Sequence, residues 1–140
     1  MNPNSAAGYL IKDLVQKTGL SADTIRFYEK KQLIQPSFRG ANNYRYYNDD
    51  ALRRLVFIQR CRALDMTLKE IQRLIELEQN PEQDCRAVND LIDEHLQHVR
   101  KRIAELHKFE AQLLLLLRQS CTSQSTVDDC QILKQLESLN

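Results

Sequence analysis

The sequence predicts a mainly α-helical chain: an N-terminal winged helix-turn-helix head, a long coiled-coil helix, and a short helix at the C-terminal end. Three observations carry this reading. Two short apolar-periodic segments meet at Gly19-Leu20-Ser21, and the stretch from Cys85 to Gln119 contains neither glycine nor proline. Three glycines, three prolines and no tryptophan in 140 residues leave little material for an all-β fold. The length suits one domain, or one small domain with an extension.

Residues 1–7 are expected to form a flexible tail. Ile11, Leu14 and Val15 then recur at helical spacing until Gly19, a natural helix stop. Ser21 is placed to cap a second helix running to about Lys31, because its hydroxyl can accept from the open amides of the first turn. Two helices joined by so tight a turn form a helix-turn-helix, whose second helix is presented to the DNA major groove. Gln35-Pro36 ends this unit. From Ser37 to Tyr47, aromatics flank a Gly/Asn turn, which predicts a short two-stranded hairpin, the wing. Asn48-Asp49-Asp50 offers N-caps for a third helix to about Leu64. Thr67-Leu68-Lys69-Glu70 has capping-box spacing and opens a fourth helix to about Gln79, with Leu68, Ile71, Leu74, Ile75 and Leu77 on its apolar face. The head therefore spans residues 8–79.

Asn80-Pro81-Glu82-Gln83-Asp84 restarts the chain with proline and acids suited to a helix N-terminus. Cys85, Ile92, Val99, Leu106 and Leu113 share one heptad position, and Asn89, Leu96, Ile103, Glu110 and Leu117 share its partner. A small head cannot bury the seam of so long a helix, so residues 84–119 are expected to be a dimerisation helix in a symmetric dimer. Residues 120–140 begin with a polar loop, Ser120 to Asp129, carrying Cys121 and followed by Cys130. Ile132, Leu133, Leu136 and Leu139 then mark a short amphipathic helix.

The net charge of +1 is unevenly divided. Residues 1–63 hold eleven Lys or Arg against five Asp or Glu, whereas residues 64–140 hold nine against fourteen. Eight of the nine aromatics also lie in the first half. A basic, aromatic-rich half joined to an acidic one is the footprint of a nucleic-acid head on a body with another task. The longest unbroken apolar run, Leu113 to Leu117, is far too short to cross a bilayer, so no membrane is expected. Met1-Asn2-Pro3-Asn4-Ser5 shows no export signal, and four widely spaced cysteines then point to a reducing cytoplasm. No Ser/His/Asp arrangement, phosphate loop or paired metal histidines stand out, so an enzyme is not expected.

Cys61, among Phe57, Ile58 and Leu64, reads as a small core residue. Cys85, Cys121 and Cys130 each lie at a helix end or in a polar loop. A continuous helix separates Cys85 from Cys121 by about 50 Å, which prevents a shared ligand within one chain. In an antiparallel helix pair, Cys85 of one protomer meets Cys121 and Cys130 of its partner, giving two three-thiolate sites per dimer. A helix N-terminus favours the thiolate of Cys85. Such donors suit Cd(II), Pb(II), Hg(II), Zn(II) or Cu(I) rather than Mg(II) or Ca(II). His95, His98 and His107 read as surface or seam residues of the long helix.

The run Thr24-Ile25-Arg26-Phe27-Tyr28-Glu29, then Leu33-Ile34, then Asn43-Tyr44-Arg45-Tyr46-Tyr47, closely resembles the MerR family of bacterial transcription regulators. Phe57 to Arg62 and Leu64 to Leu68 continue the match. Asp84-Cys85 through Asp93-Glu94-His95, with Cys121 and Cys130, is similar to the cadmium/lead-responsive branch. The sequence departs from the zinc-responsive branch, which has adjacent cysteines where Ser120-Cys121 stand. It also departs from the Cu(I)-responsive branch, which has serine at the place of Cys85. The His-rich C-terminal extension of some cadmium regulators is missing, and the spacing of Cys121 and Cys130 is compatible with mercury regulators.

The resemblance implies a homodimer on a near-palindromic operator, inside a promoter whose spacer is too long for RNA polymerase. Metal binding would distort and untwist that DNA and activate an efflux or resistance gene. Cd(II) or Pb(II) is the expected signal, with Zn(II) or Hg(II) as alternatives, held by Cys85, Cys121 and Cys130. The recognition-helix match points to Thr24, Arg26 and Tyr28 for bases and phosphates. The wing match points to Tyr44, Arg45 and Tyr47, with Arg53 at the start of the third helix. Lys12 and Phe27 complete the DNA-binding set. Arg26 is the candidate for a base edge, since guanidinium grips guanine through two hydrogen bonds. Arg45 and Arg53 are phosphate clamps, and Ile25 is core. Two other readings stand beside this one: a redox sensor with a Cys121–Cys130 disulfide on the same head, and a helical scaffold whose basic head is a solvated face.

Overall fold

Leu14, Ile25, Leu55, Ile58, Met66 and Ile71 have no or almost no exposed surface, and they come from every helix of the head and the turn between its last two. The computed structural model describes residues 8–119 and 126–138. Helix α1 spans Ile11–Thr18 and α2 spans Ala22–Lys30, followed by strands β1, Phe38–Arg39, and β2, Arg45–Tyr46. Helices α3, Asp49–Ala63, and α4, Leu68–Glu78, complete the head. The mainly helical winged helix-turn-helix expected from the sequence is the fold observed.

Local chemistry sets the element ends. Gly19 closes α1 in the left-handed conformation at φ 77°, with its N–H donating to Val15 O. Ser21 Oγ accepts the Thr24 N–H at 3.1 Å and so caps α2. Asn48 Oδ1 accepts the Ala51 N–H at 2.9 Å at the start of α3. Thr67 and Glu70 exchange side-chain and backbone bonds of 2.9 and 3.1 Å at the start of α4. The wing is antiparallel, with Phe38 opposite Tyr46 and Arg39 opposite Arg45.

One pairing was not anticipated. Tyr9 and Tyr47 exchange two backbone hydrogen bonds of 2.6 Å, adding a single-residue bridge beside the wing. Gly8, at φ +66°, leads into it, and a Cβ there would lie 2.5 Å from Tyr47 O. A one-residue bridge between positions so distant in sequence has no local signature.

Helix α5 spans Arg86–Leu117, and after a short 3₁₀ turn at Val127–Asp129, α6 spans Gln131–Ser138. The long helix starts and ends slightly inside the expected range. The carboxylate of Asp84 accepts the Arg86 N–H at 2.9 Å, and Cys85 O accepts the Asn89 N–H, which puts Cys85 at the cap. The described residues divide into one unit ending at Leu91 and another starting at Ile92. Leu91 packs against the head core, so the first unit includes the opening of α5.

In the second unit, Ile92, Leu96, Ile103, Leu106, Leu113 and Leu117 are exposed along α5. His95 departs from expectation, being only 9% exposed, whereas His98 and His107 lie on the surface. His95 falls one turn after Leu91, and heptad pattern alone does not register its burial. The tail 1–7, Cys121 and Leu139 lie outside the described residues.

Candidate nucleic-acid interface and thiol positions

Helix α2 separates its residues cleanly by face. Ile25 and Tyr28 point into the core, while Arg26 and Phe27 are exposed. The side chain of Arg26 is 60% exposed and is tethered to Asp23 at 3.3 Å, one turn earlier. Thr24 is half-buried at the capped start of the helix, where its hydroxyl accepts from Ser21 Oγ at 2.9 Å. Phe27 carries the Lys31 ammonium 5.6 Å above its ring.

Arg45 on β2 and Arg53 on α3 turn toward the same open cleft as Arg26, a cavity of about 1230 Å³ that Lys30 and Arg54 also line. Arg53 pairs with Asp50, and Arg54 pairs with Glu78 at 3.2 Å. The Arg53–Asp50 pair is exposed and so worth little in water, whereas Arg54 is half-buried. Lys12, exposed on α1, and Tyr44, 65% exposed on the wing loop, stand outside the cleft lining.

Two of the expected DNA-binding residues are placed differently. Tyr28 and Tyr47 are core residues, 7% and 3% exposed. The hydroxyl of Tyr47 donates to Glu29 Oε1 at 2.6 Å, and burial together with that carboxylate pushes its pKa up to about 12. Both rings are therefore packed beneath the surface. A tyrosine's polar tip leaves the sequence ambiguous about which side it takes.

Glu29 was not singled out from the sequence. It accepts from Ser37 N at 2.8 Å, from Ser37 Oγ at 3.0 Å, and from Tyr47. Burial alone would raise its pKa, but these three donors and the nearby Arg45 charge outweigh it and hold the carboxyl below its usual range. No spacing rule marks a glutamate whose partners are eight and eighteen residues away.

Among the described thiols, Cys61 is buried and its pKa is raised by that burial, as a core residue requires. Cys85 is exposed at the head of α5, and Cys130 is half-buried at the start of α6, where its carbonyl accepts the Lys134 N–H. Both stand where a helix begins.

The family description "MerR HTH family regulatory protein" matches residues 9–78, and "MerR, DNA binding" matches residues 52–116. The chain belongs to the MerR family. That family consists of DNA-binding transcription regulators rather than enzymes. Over 101 residues the chain is 40% identical to the HTH-type transcriptional regulator ZntR homolog of Haemophilus influenzae, covering 72% of this MerR-family chain and 75% of that relative. It matches the crystal structure of the transcription regulator PbrR691 from Ralstonia metallidurans CH34 in complex with lead(II) with a TM-score of 0.75. Identity there is 40%, over 90% of this chain and 97% of the other. HiNmlR, a MerR family regulator lacking the sensor domain and bound to promoter DNA, matches with a TM-score of 0.56 and 28% identity, over 79% and 84% of the two chains.

Proposed function

We propose that this MerR-family protein is a metal-responsive transcription regulator that binds promoter DNA as a homodimer and activates metal efflux or resistance genes. The observation that carries the reading is a coincidence of two features. The family match runs through both the basic head and the long helix, and two thiols, exposed Cys85 and half-buried Cys130, stand at helix starts before and after that helix. Likeness to a regulator solved with lead(II), and to another solved on promoter DNA, supports the same division of labour.

The head would bind as its geometry suggests. Arg26 would reach a base edge from α2, with Thr24 and Phe27 beside it. Arg45, Arg53, Tyr44 and Lys12 would bind phosphates and fix the register. In this role Tyr28 and Tyr47 act as supports beneath α2 and the wing. Two heads on one dimer would read two half-sites of a near-palindrome.

The dimer rests on α5. Its 32 unbroken residues measure about 48 Å, and the exposed seam from Ile92 to Leu117 needs a partner of matching length and periodicity. A second, antiparallel copy of the same helix supplies one. Cys85 of one protomer would then share a metal ion with Cys121 and Cys130 of the other. The donor set fits a soft ion, because three thiolates prefer Cd(II), Pb(II), Zn(II) or Hg(II) to hard cations. Cd(II) or Pb(II) is our assignment. When its thiolates are loaded, the dimer would untwist the promoter and bring its elements into register for RNA polymerase.

Transcription in vitro from the regulated promoter, across a panel of buffered metals, tests this reading. Activation by Cd(II) or Pb(II), lost in Cys85→Ser, is expected. Activation by an oxidant alone, or by no metal in the panel, would overturn it.

A further inference from the structure

Glu29 lies three residues after Arg26 on α2, and both of its carboxylate oxygens are engaged. Oε2 accepts the backbone N–H of Ser37 at 2.8 Å and its hydroxyl at 3.0 Å, where the chain leaves Pro36 for β1. Oε1 accepts the hydroxyl of Tyr47 at 2.6 Å, just after β2. One side chain thus fastens the recognition helix to both ends of the wing. Tyr47 is in turn tied through its backbone to Tyr9.

We propose that Glu29 is the positioning residue that holds the wing at a fixed distance from the recognition helix, so that Arg26 and Arg45 meet one DNA duplex as a rigid pair. This rests on the DNA-binding reading above and adds to it the device that sets the geometry of contact. A two-stranded hairpin of two residues per strand has little stability of its own and needs an external anchor. Glu29 supplies that anchor with charge-assisted bonds, which are the stronger kind.

The electrostatics make the proposal sharp. Glu29 lines the basic cleft that Arg26 and Arg45 also line. By charge alone a carboxylate there repels phosphate, so neutralising it should strengthen DNA binding. If Glu29 is a clamp, neutralising it should weaken binding instead. The two effects have opposite sign.

The test uses the full chain as wild type, Glu29→Gln, Arg45→Ala and the double variant. The probe is a duplex of about 30 base pairs, roughly three helical turns, enriched from a random pool by the wild-type protein. Hydrogen exchange over residues 37–47 is measured alongside, with α3 as the internal reference. Glu29→Gln should raise exchange in the wing and leave α3 unchanged. It should weaken duplex binding about tenfold and flatten the salt slope by about one unit, as loss of one phosphate contact does. The double variant should bind within about twofold of the weaker single variant, since the clamp acts through Arg45. Unchanged wing exchange, or tighter binding by Glu29→Gln, would overturn the proposal. If exchange rises in α3 as well, Tyr47→Phe, which removes only the Oε1 partner, is judged by the same criteria. If the wild-type protein enriches no duplex, the DNA-binding reading fails, and wing exchange alone decides whether Glu29 is a clamp.

Discussion

The side-chain amide of Gln59 donates to the backbone carbonyl of Thr18 across 2.6 Å, tying the middle of α3 to the last turn of α1. The last carbonyls of a helix have no partner within it, so a side chain from a neighbouring element satisfies one. Gln59→Leu should therefore cost about 1–2 kcal/mol, the net value of a partly buried hydrogen bond and the desolvated carbonyl left behind. Urea unfolding of the two proteins measures it. An unchanged midpoint would show that the contact is incidental.

Arg26 and Arg45 should separate by the kind of DNA contact they make. Arg26→Ala should cost about 1–3 kcal/mol on the operator and relax preference at one base pair in each half-site. Arg45→Ala should weaken all sequences alike and reduce the salt slope by about one. Titrations on operator and random duplexes at several salt concentrations distinguish the two. Equal effects of both substitutions on both duplexes would remove Arg26 from the base-reading role.

The Glu29–Tyr47 bond sets a pH window at each end. The Tyr47 hydroxyl titrates near 12 in the fold rather than near its ordinary 10. Its stabilising contribution is complete below pH 10 and is lost as the pH rises from 10 toward 12. Glu29 has the opposite sign, because its folded pKa is lowered from 4.5. Its contribution is present above pH 4.5 and disappears as the pH falls through the lowered value. Urea midpoints against pH should show both limbs, and Tyr47→Phe should make the alkaline one shallower, leaving the part that Cys61 and Tyr9, whose folded pKa values are also raised, contribute. An alkaline limb as steep in Tyr47→Phe as in the wild type would assign it wholly to other groups.

Asp65 closes α3 at φ 64°, a conformation that costs a residue with a Cβ about 1 kcal/mol or more. The backbone bond from Met66 N to Cys61 O wraps the same turn. Asp65→Gly should stabilise the head by about 0.5–1 kcal/mol, read as a raised unfolding midpoint. A lowered midpoint would mean that the aspartate side chain itself contributes there.

The parts of the fold that were legible in the sequence are those decided within a few residues. Ser21, Asn48 and Thr67 cap their helices because each offers an oxygen to amides three residues on, and Gly19 stops α1 because it alone enters the left-handed region freely. The aromatic pairs flanking the Gly/Asn turn foretold the wing for the same reason. What escaped depends on distant partners. The Tyr9–Tyr47 bridge and the grip of Glu29 on Ser37 and Tyr47 are each settled by contacts that no local window contains. Tyr28 and Tyr47 matched a family pattern of DNA-binding positions, and that their rings fill the core is a matter of packing that the local sequence does not show.

The central claim, a metal site shared between protomers across an antiparallel helix pair, is tested most directly by mixing two variants. Cys85→Ser lacks one thiolate of each site, and the double change Cys121→Ser with Cys130→Ser lacks the other two. Neither homodimer has a complete site. In the heterodimer, Cys85 of one chain joins Cys121 and Cys130 of the other, so one site is whole and the second has no thiolate. Equilibrium dialysis of the mixture against Cd(II) should recover about one tight site per heterodimer, since a three-thiolate set binds soft ions far more strongly than its parts. Heterodimers shown to be present but holding no tight metal would contradict the shared site.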